Sequence, residues 1–91
     1  MAKSDKPVAI ITGGSRGVGA ATGKLLASKG WNVTVTCTST IDDANKVVED
    51  CEKFGTEALA VKADVSDDQS CRNTIKETIS KWGRIDSLVN N

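Results

Sequence analysis

The sequence predicts an α/β fold, in which a parallel β-sheet is covered by helices, and three observations support this prediction. Four short segments have the apolar or β-branched composition of buried strands: residues 8–12, 32–37, 58–61 and 87–90. Three segments between them repeat apolar residues at helical spacing: residues 18–29, 42–54 and 67–82. Strands that alternate with helices pair in parallel through right-handed crossovers. The pattern therefore predicts a βαβαβαβ unit with strand order 3-2-1-4.

The spacing within each predicted helix indicates which side chains face the sheet. We expect these to be Val18, Ala21, Leu25 and Leu26 from the first helix, Ala44, Val47, Val48 and Cys51 from the second, and Cys71, Ile75, Ile79 and Trp82 from the third. Ser66 is the predicted N-cap of the third helix, with Gln69 three residues later as in a capping box. The helices are expected to end at Gly30, Gly55 and Gly83.

Composition excludes several classes of function. The 12 basic and 12 acidic residues are scattered along the chain, which argues against a nucleic-acid or anionic-membrane partner. No apolar run approaches the roughly 20 residues needed to cross a bilayer, and the polar start lacks the apolar core of a secretory signal. The three cysteines form no C-x-x-C pair, and the chain has no histidine. We therefore expect reduced thiols in a cytoplasmic protein, with neither a metal site nor an activated catalytic cysteine.

A glycine-rich segment, residues 12–19 with the sequence TGGSRGVG, joins the first predicted strand to the first helix. Gly13 permits a tight turn, Gly17 allows a pyrophosphate to approach the backbone, and Gly19 lets helix and strand pack closely. The helix amino terminus offers free N–H groups and the positive end of the helix dipole to the phosphates. Because strand, turn and helix fall in the order that this mechanism needs, the segment predicts dinucleotide binding and a doubly wound, Rossmann-type sheet.

The residues after the second predicted strand favour NADP over NAD. Enzymes that use NAD usually place an acidic residue there, which accepts hydrogen bonds from the ribose 2′-hydroxyl. Here the stretch 37–40 reads CTST, and the first acidic residue lies on the next helix. The hydroxyls of Thr38 and Ser39 would not repel a 2′-phosphate, and Arg16 could supply the positive charge that a phosphate needs. The alternative is that Arg16 is merely solvated and that Thr38 and Ser39 form a helix-capping turn.

Three motifs in order resemble those of the short-chain dehydrogenase/reductase family. Residues 12–19 resemble its T-G-x-x-x-G-x-G fingerprint, and residues 63–67 (ADVSD) resemble its D-V-x-D segment. Residues 88–91 (LVNN) resemble the start of its N-N-A-G motif, after a G-x-I-D lead at 83–86. The resemblance extends through the whole chain, and the likeness is greatest to the bacterial 3-oxoacyl-[acyl-carrier-protein] reductase type.

The resemblance implies an NADP-dependent oxidoreductase that transfers hydride between NADPH and a carbonyl or alcohol substrate. It implies that the Asp64 carboxylate and the Val65 backbone amide contact adenine, although Asp64 could instead only shape the turn before Ser66. It also implies that Asn90 ties neighbouring strands together and that Asn91 lies near the cofactor ribose. The residues expected to bind the cofactor are Gly13, Ser15, Arg16, Gly17, Val18, Gly19, Thr38, Ser39, Asp64, Val65 and Asn91.

No catalytic residue is assigned within this sequence. The family uses a Tyr as general acid, a Lys four residues later and a Ser, and the 91 residues contain no Tyr. A four-stranded sheet with one poorly covered face and an apolar edge predicts that residues 1–91 are the amino-terminal, NADP-binding portion of a single incomplete domain. The resemblance implies a homodimer or homotetramer for the full-length protein. The alternative, favoured by the absence of Tyr and His, is a non-catalytic nucleotide-binding or regulatory module.

Overall fold

The computed structural model describes residues 3–91, which form a four-stranded parallel sheet and three helices. The elements in chain order are β1 (Val8–Ile11), α1 (Gly17–Ser28), β2 (Asn32–Cys37), α2 (Ile41–Glu52), β3 (Ala58–Lys62), α3 (Asp68–Trp82) and β4 (Ser87–Val89). The strands are ordered β3-β2-β1-β4, and every neighbouring pair is parallel. The predicted α/β fold and its strand order are confirmed, and each predicted boundary lies within two residues of the observed one.

The side chains of β2 point alternately to the helices on the two faces of the sheet, because successive residues of a strand point to opposite faces. Val33, Val35 and Cys37 belong to the core cluster that they form with α1 and α2. Thr34 points to the opposite face, where its Oγ1 lies 2.9 Å from Oγ1 of Thr78 on α3. As the strand order predicts, α1 and α2 cover one face of the sheet and α3 lies on the other.

The contact between α1 and the sheet is made by small residues, which corrects the predicted apolar stripe. Val18 is 74% exposed and Leu25 is 56% exposed, Ala21 is also exposed, and only Leu26 of the predicted set packs against the core. The buried residues of this helix are Gly19, Ala20, Gly23 and Ala27. The prediction was wrong because α1 approaches the sheet too closely for longer side chains to fit between them.

The start of α3 also differs from the prediction. Its N-cap is Asp67, not Ser66, and the Asp67 side chain accepts a hydrogen bond from the Gln69 N–H. Ser66 instead bonds to the preceding Asp64. Both residues are good N-cap types, and which of them caps the helix depends on the turn that Asp64 makes. The end of α3 is as predicted, because Gly83 is its C-cap in the left-handed conformation.

The face that α3 turns to the sheet is polar, so the predicted stripe is wrong except at Trp82. Ile75 and Ile79 are exposed, and Cys71 is half-buried. The buried residues of the helix are Thr74, Thr78 and Trp82. Hydrogen bonds orient this face: the Thr78 hydroxyl donates to the Thr74 carbonyl and pairs with Thr34, and the Trp82 indole N–H donates to the Glu57 carboxylate.

The second helix agrees with the prediction. Ala44, Val47 and Cys51 are buried, and Val48 packs against the same cluster. Gly30 follows the end of α1 and Gly55 follows the end of α2 with the positive φ angles expected there. Within residues 3–91, no helix has the length and apolarity that a membrane span requires.

The sheet is partly uncovered on the α3 side. A cavity of about 230 Å³ opens between α3 and the β1–β4 pair, and Ile10, Ile75 and Leu88 are among its lining residues. Leu88 of the edge strand β4 is exposed. This face therefore has the incomplete cover that the strand pattern predicts for a four-stranded sheet with a single helix on one side.

Replacing Ala27 by Leu is expected to lower the free energy of unfolding by about 1–3 kcal/mol, since the added atoms have no space between α1 and the sheet. The matched control is Leu25→Ala, which truncates an exposed side chain on the same helix and should change the free energy by less than about 0.5 kcal/mol. Urea denaturation followed by circular dichroism measures both. A larger loss from Leu25→Ala than from Ala27→Leu would contradict the observed packing face.

Candidate dinucleotide-binding site

The predicted cofactor-binding residues lie along the carboxyl edge of the sheet. The glycine-rich loop follows β1, Thr38 and Ser39 follow β2, Asp64 and Val65 follow β3, and Asn91 lies just beyond β4. The helix leaving β1 covers one face of the sheet, whereas α3, which leads into the neighbouring β4, lies on the other. Ligands of open α/β sheets bind at such a switch point, outside the carboxyl ends of the strands.

Gly13, the first residue of the loop that turns away from β1, is hydrogen-bonded on both sides. Its N–H donates to Thr36 Oγ1 at 3.0 Å, and its carbonyl accepts a hydrogen bond from Asn91 Nδ2 at 3.3 Å. Its φ is 64°, in the left-handed region where a side chain would be strained. The loop is therefore bonded both to β2 and to the segment after β4.

Thr12 links the loop to the same segment. Its Oγ1 accepts a hydrogen bond from the Asn91 backbone N–H at 3.0 Å and donates to Asn90 Oδ1 at 3.1 Å. The Thr12 N–H donates to the Val89 carbonyl, which extends the β1–β4 pairing by one bond. Asn90 thus joins neighbouring strands, as the resemblance implied. Because the Asn91 side-chain nitrogen is engaged by Gly13, its contact with a cofactor ribose stays a prediction.

Two glycines allow the loop and α1 to approach the sheet closely. A Cβ placed on Gly19 would lie 2.5 Å from the Gly13 carbonyl oxygen and 2.8 Å from Asn91 Nδ2. A Cβ placed on Gly14 would lie 2.8 Å from Val35 Cγ1. The packing role of Gly19 was predicted, whereas that of Gly14 was missed. The only sequence signal for Gly14 is that it forms a pair with Gly13.

The start of α1 is open, in contrast to the packed glycines. A Cβ on Gly17 would have no neighbouring atom within 4 Å. Arg16 is the N-cap, and it makes no side-chain capping bond. The first N–H groups of a helix have no partner within the helix, and the dipole makes this end positive. With Ser15 half-buried and Val18 exposed beside it, this end of α1 has the space and polarity that a phosphate requires.

The side chains predicted to recognise the ribose are exposed. Arg16, Thr38 and Ser39 all face solvent, and within residues 3–91 Arg16 takes part in no ion pair. The N-cap of α2 is Thr40, and no side chain bonds to the first turn of this helix. Thr38 and Ser39 therefore do not form the capping turn that was the alternative interpretation, and their hydroxyls are accessible to a ligand.

Asp64 shapes the turn after β3. Its Oδ1 accepts hydrogen bonds from the Ser66 hydroxyl at 2.7 Å and from the Ser66 backbone N–H at 2.9 Å. These bonds, the side-chain one foremost, hold the pKa of Asp64 below its ordinary value, so its carboxylate is ionised at neutral pH. Oδ2 takes no part in these bonds, and both Asp64 and Val65 are exposed. The turn-shaping role is present in the structure, and a contact with adenine stays a prediction.

The three cysteines are free thiols. Burial raises the pKa of Cys51 to about 11, and burial also raises the pKa of Cys37. Both thiols are therefore protonated at neutral pH and are poor nucleophiles. Residues 3–91 contain no group of three or more His, Cys, Asp or Glu side chains placed to hold a metal ion.

Replacing Gly19 by Ala is expected to lower the free energy of unfolding by about 1–3 kcal/mol, because the new Cβ would overlap backbone atoms of the loop. Gly23→Ala is the matched control on the same helix, since its Cβ would meet the movable end of the Ile11 side chain at 3.3 Å. The higher helix propensity of Ala offsets this contact, so Gly23→Ala should change the free energy of unfolding by less than about 1 kcal/mol. Equal effects of the two substitutions in urea denaturation would contradict the close packing at Gly19.

The Ser66→Ala substitution is expected to raise the pKa of Asp64 towards its ordinary value, because it removes one of the two hydrogen bonds that stabilise the carboxylate. Because the pKa of Asp64 is lowered in the folded protein, the ionised carboxylate stabilises the fold above the ordinary carboxyl pKa of about 3.9. This stabilisation is lost as the pH falls through the lowered pKa. NMR titration of the carboxyl carbons measures the shift. Asp86, whose pKa is lowered chiefly by Arg84, is the internal control; an unchanged pKa at Asp64 would contradict the prediction.

Comparison with known proteins agrees with the motifs and the geometry. Residues 7–91 match the short chain dehydrogenase family. The 3-oxoacyl-[acyl-carrier-protein] reductase FabG of Staphylococcus epidermidis is 40% identical over 83 residues, which are 91% of this chain and 34% of that protein. A solved short-chain dehydrogenase/reductase from Serratia marcescens is 40% identical, with a TM-score of 0.89 over 97% of this chain and 36% of that one. The solved structure of hydroxysteroid dehydrogenase from Escherichia coli is 35% identical, with a TM-score of 0.88 over 98% of this chain and 37% of that one.

The chain thus spans about a third of the length of these relatives. The family match includes every strand and helix of the structure and each of the three motifs. It therefore confirms the resemblance that the glycine-rich loop and the later motifs indicate. The chain belongs to the short-chain dehydrogenase/reductase family.

Proposed function

We propose that this chain provides the NADP-binding part of an oxidoreductase that transfers hydride between NADPH and a carbonyl or alcohol substrate. The observation that carries the proposal is the open amino terminus of α1, which lies at the carboxyl end of β1 with Arg16 exposed beside it. Membership of an oxidoreductase family supports the class of reaction. When bound, the nicotinamide supplies the hydride chemistry, and the residues of this chain bind and orient the cofactor.

The loop and the first turn of α1 would hold the pyrophosphate. Gly17 leaves room for a phosphate to approach the backbone, because no atom lies within 4 Å of the position of a Cβ there. The N–H groups that follow it, including that of Val18, precede the first hydrogen bonds of the helix. Gly13 and Gly19 determine the shape of the loop, and Ser15 adds a hydroxyl at its rim. The residues present therefore fit the phosphates of a dinucleotide.

The preference for NADP follows from the charges near the end of β2. A ribose 2′-phosphate carries nearly two negative charges, which an adjacent carboxylate would repel. Thr38 and Ser39 are uncharged and exposed, and the acidic residues Asp42 and Asp43 lie within the first turn of α2. Arg16 has no competing carboxylate partner among the described residues. A guanidinium without such a partner is suited to pair with the two oxygens of a phosphate.

The remaining contacts complete the cofactor site in the proposal. The Asp64 carboxylate, ionised and exposed, would accept a hydrogen bond from the adenine amine, and the Val65 backbone would contact a ring nitrogen. Asn91, held against Gly13, would lie beside the nicotinamide-side ribose. These contacts are supported by the position of the residues after β3 and β4, on the edge of the sheet where ligands of this fold class bind.

The activity of the whole protein is part of the proposal. The relatives named above include a 3-oxoacyl-[acyl-carrier-protein] reductase and a hydroxysteroid dehydrogenase, which supports a small-molecule carbonyl or alcohol substrate. The proposal assigns no catalytic residue to the 91 residues, which contain no Tyr, and takes them as the amino-terminal portion of one Rossmann domain. It places the protein in the cytoplasm as a homo-oligomer, with no nucleic-acid or membrane partner.

A non-catalytic nucleotide-binding module is the second candidate. The absence of both Tyr and His from the 91 residues favours it, since two of the side chains that often act as general acids are missing from them. Oxidation of NADPH by the full-length protein in the presence of 3-oxoacyl thioesters or ketones separates the two candidates. Turnover supports the oxidoreductase, and tight NADPH binding without turnover supports the module.

Replacing Arg16 by Gln is expected to weaken NADPH binding about tenfold and to leave NADH binding nearly unchanged, because only NADPH carries the 2′-phosphate. Ser39→Asp should act in the same direction by adding a negative charge beside that phosphate. Titration calorimetry with both cofactors measures the effects on the full chain.

The matched control for Arg16 is Arg72→Gln. Arg72 is also exposed, but it lies on α3, where it pairs with Asp68, and its replacement should not alter the affinity for either cofactor. Equal affinities of the unmodified protein for NADPH and NADH would contradict the proposed cofactor preference.

A further inference from the structure

We infer that Thr36 is a positioning residue of the cofactor loop, whose hydroxyl orients the Gly13 peptide and thereby the start of α1. The inference rests on the proposed function, since it concerns the same nucleotide site. Thr36 is 2% exposed and is the last residue but one of β2. It lies beneath the loop and acts through Gly13, whose N–H donates to its Oγ1 at 3.0 Å.

Successive N–H groups of β1 are directed alternately to its two neighbours, and beyond the end of the strand one of the acceptors is a side chain. The N–H of Thr12 still donates to the Val89 carbonyl, so it continues the pairing of β1 with β4. The next N–H, that of Gly13, is directed to the opposite neighbour, β2, and there its acceptor is a side chain instead of a carbonyl. The hydroxyl of Thr36 thus provides the acceptor at the point where the chain leaves the sheet. Without it, a half-buried N–H would lose its partner.

Two hydrogen bonds together determine the conformation of Gly13. The Gly13 nitrogen belongs to the peptide plane before its Cα, and the Gly13 oxygen belongs to the plane after it. Thr36 holds the first plane and Asn91 Nδ2 holds the second, so both backbone dihedrals of Gly13 are constrained. A glycine has a wide choice of conformations, and such constraints select one of them.

The Gly13 carbonyl is also the surface against which α1 packs. The position of a Cβ on Gly19 is 2.5 Å from that oxygen, so the first turn of the helix lies directly on it. A rotation of the Gly13 peptides would therefore displace the helix amino terminus and the N–H groups that are proposed to bind the pyrophosphate. The hydroxyl of Thr36 pre-organises this end of α1 before a ligand arrives.

The other buried threonine on the same face of β2 has a different partner. Thr34 pairs with Thr78 of α3, away from the loop. Because Thr78 donates its own hydroxyl proton to the Thr74 carbonyl, Thr34 is the donor in that pair. Loss of either hydroxyl would reduce stability, but only the loss at Thr36 would disturb the nucleotide site. The two positions therefore separate a positioning role from a structural one.

The test is the affinity of the full chain for NADPH in three variants. Thr36→Val, which keeps the shape and removes the acceptor, should raise Kd about five- to tenfold. Thr36→Ser keeps a hydroxyl and should leave Kd within about twofold of the value for the unmodified protein. Thr34→Val should also leave Kd within about twofold, but it should unfold at a lower urea concentration than the unmodified protein. Unchanged affinity in folded Thr36→Val, or an equal loss in Thr34→Val, would overturn the inference. An unmodified protein that binds neither NADPH nor NADH would overturn the proposed function.

A second measurement needs no variant, in case Thr36→Val does not fold. Amide hydrogen exchange of the unmodified protein without cofactor compares the Gly13 N–H with the Gly17 N–H, which precedes the first helical hydrogen bond of α1. Slower exchange at Gly13 by tenfold or more, on the order expected for a persistent hydrogen bond, supports the inference. Exchange at Gly13 as fast as that at Gly17 overturns it.

Discussion

The close approach of α1 to β1 and β2 is the constraint on which the rest of the structure depends. Gly14 and Gly19 have no space for a Cβ, since the atoms that it would meet lie 2.8 Å and 2.5 Å away. Ala20 and Ala27 are buried where longer side chains would separate helix and sheet. This proximity brings the amino terminus of the helix directly over the carboxyl end of β1. The positive end of the dipole and the free N–H groups are thereby placed beside the strand ends, where the other proposed contacts lie.

The opposite face of the sheet depends on polar contacts. Thr34 and Thr78 pair across the β2–α3 interface, and the Trp82 indole is bonded to Glu57 beside β3. The Asn32 side chain accepts the Glu57 N–H, so it joins the start of β2 to the segment before β3. In the described part of the chain, no buried side-chain nitrogen or oxygen lacks a partner. These bonds favour a single register of the strands and α3, because any other pairing would leave buried polar groups without hydrogen-bond partners.

Family membership and local geometry answer different questions about the site. The family match covers residues 7–91, and the relatives include proteins named for acyl-carrier-protein substrates and for hydroxysteroids. Relatives with the same fold are thus named for different substrates, so the fold alone does not identify a substrate. The charges near the strand ends, in contrast, belong to residues of this chain itself. In the proposed function, the exposed Arg16 and the hydroxyls after β2 favour NADP over NAD, whatever the substrate.

The sequence by itself determined the α/β class and the strand order, because alternating strands and helices are local signals. The glycine-rich turn is also a local signal, and from it the sequence predicts where the proposed nucleotide site lies. It also identified the buried face of α2, where apolar residues at helical spacing do face the core. Only the tertiary structure decided the buried faces of α1 and α3. Glycine and alanine carry little hydrophobic signal, and Thr78 of α3 is buried where it pairs with Thr34 of β2. The roles of Gly14 and Thr36 were equally invisible, since each depends on an atom far away in the chain: Val35 Cγ1 for one and the Gly13 N–H for the other.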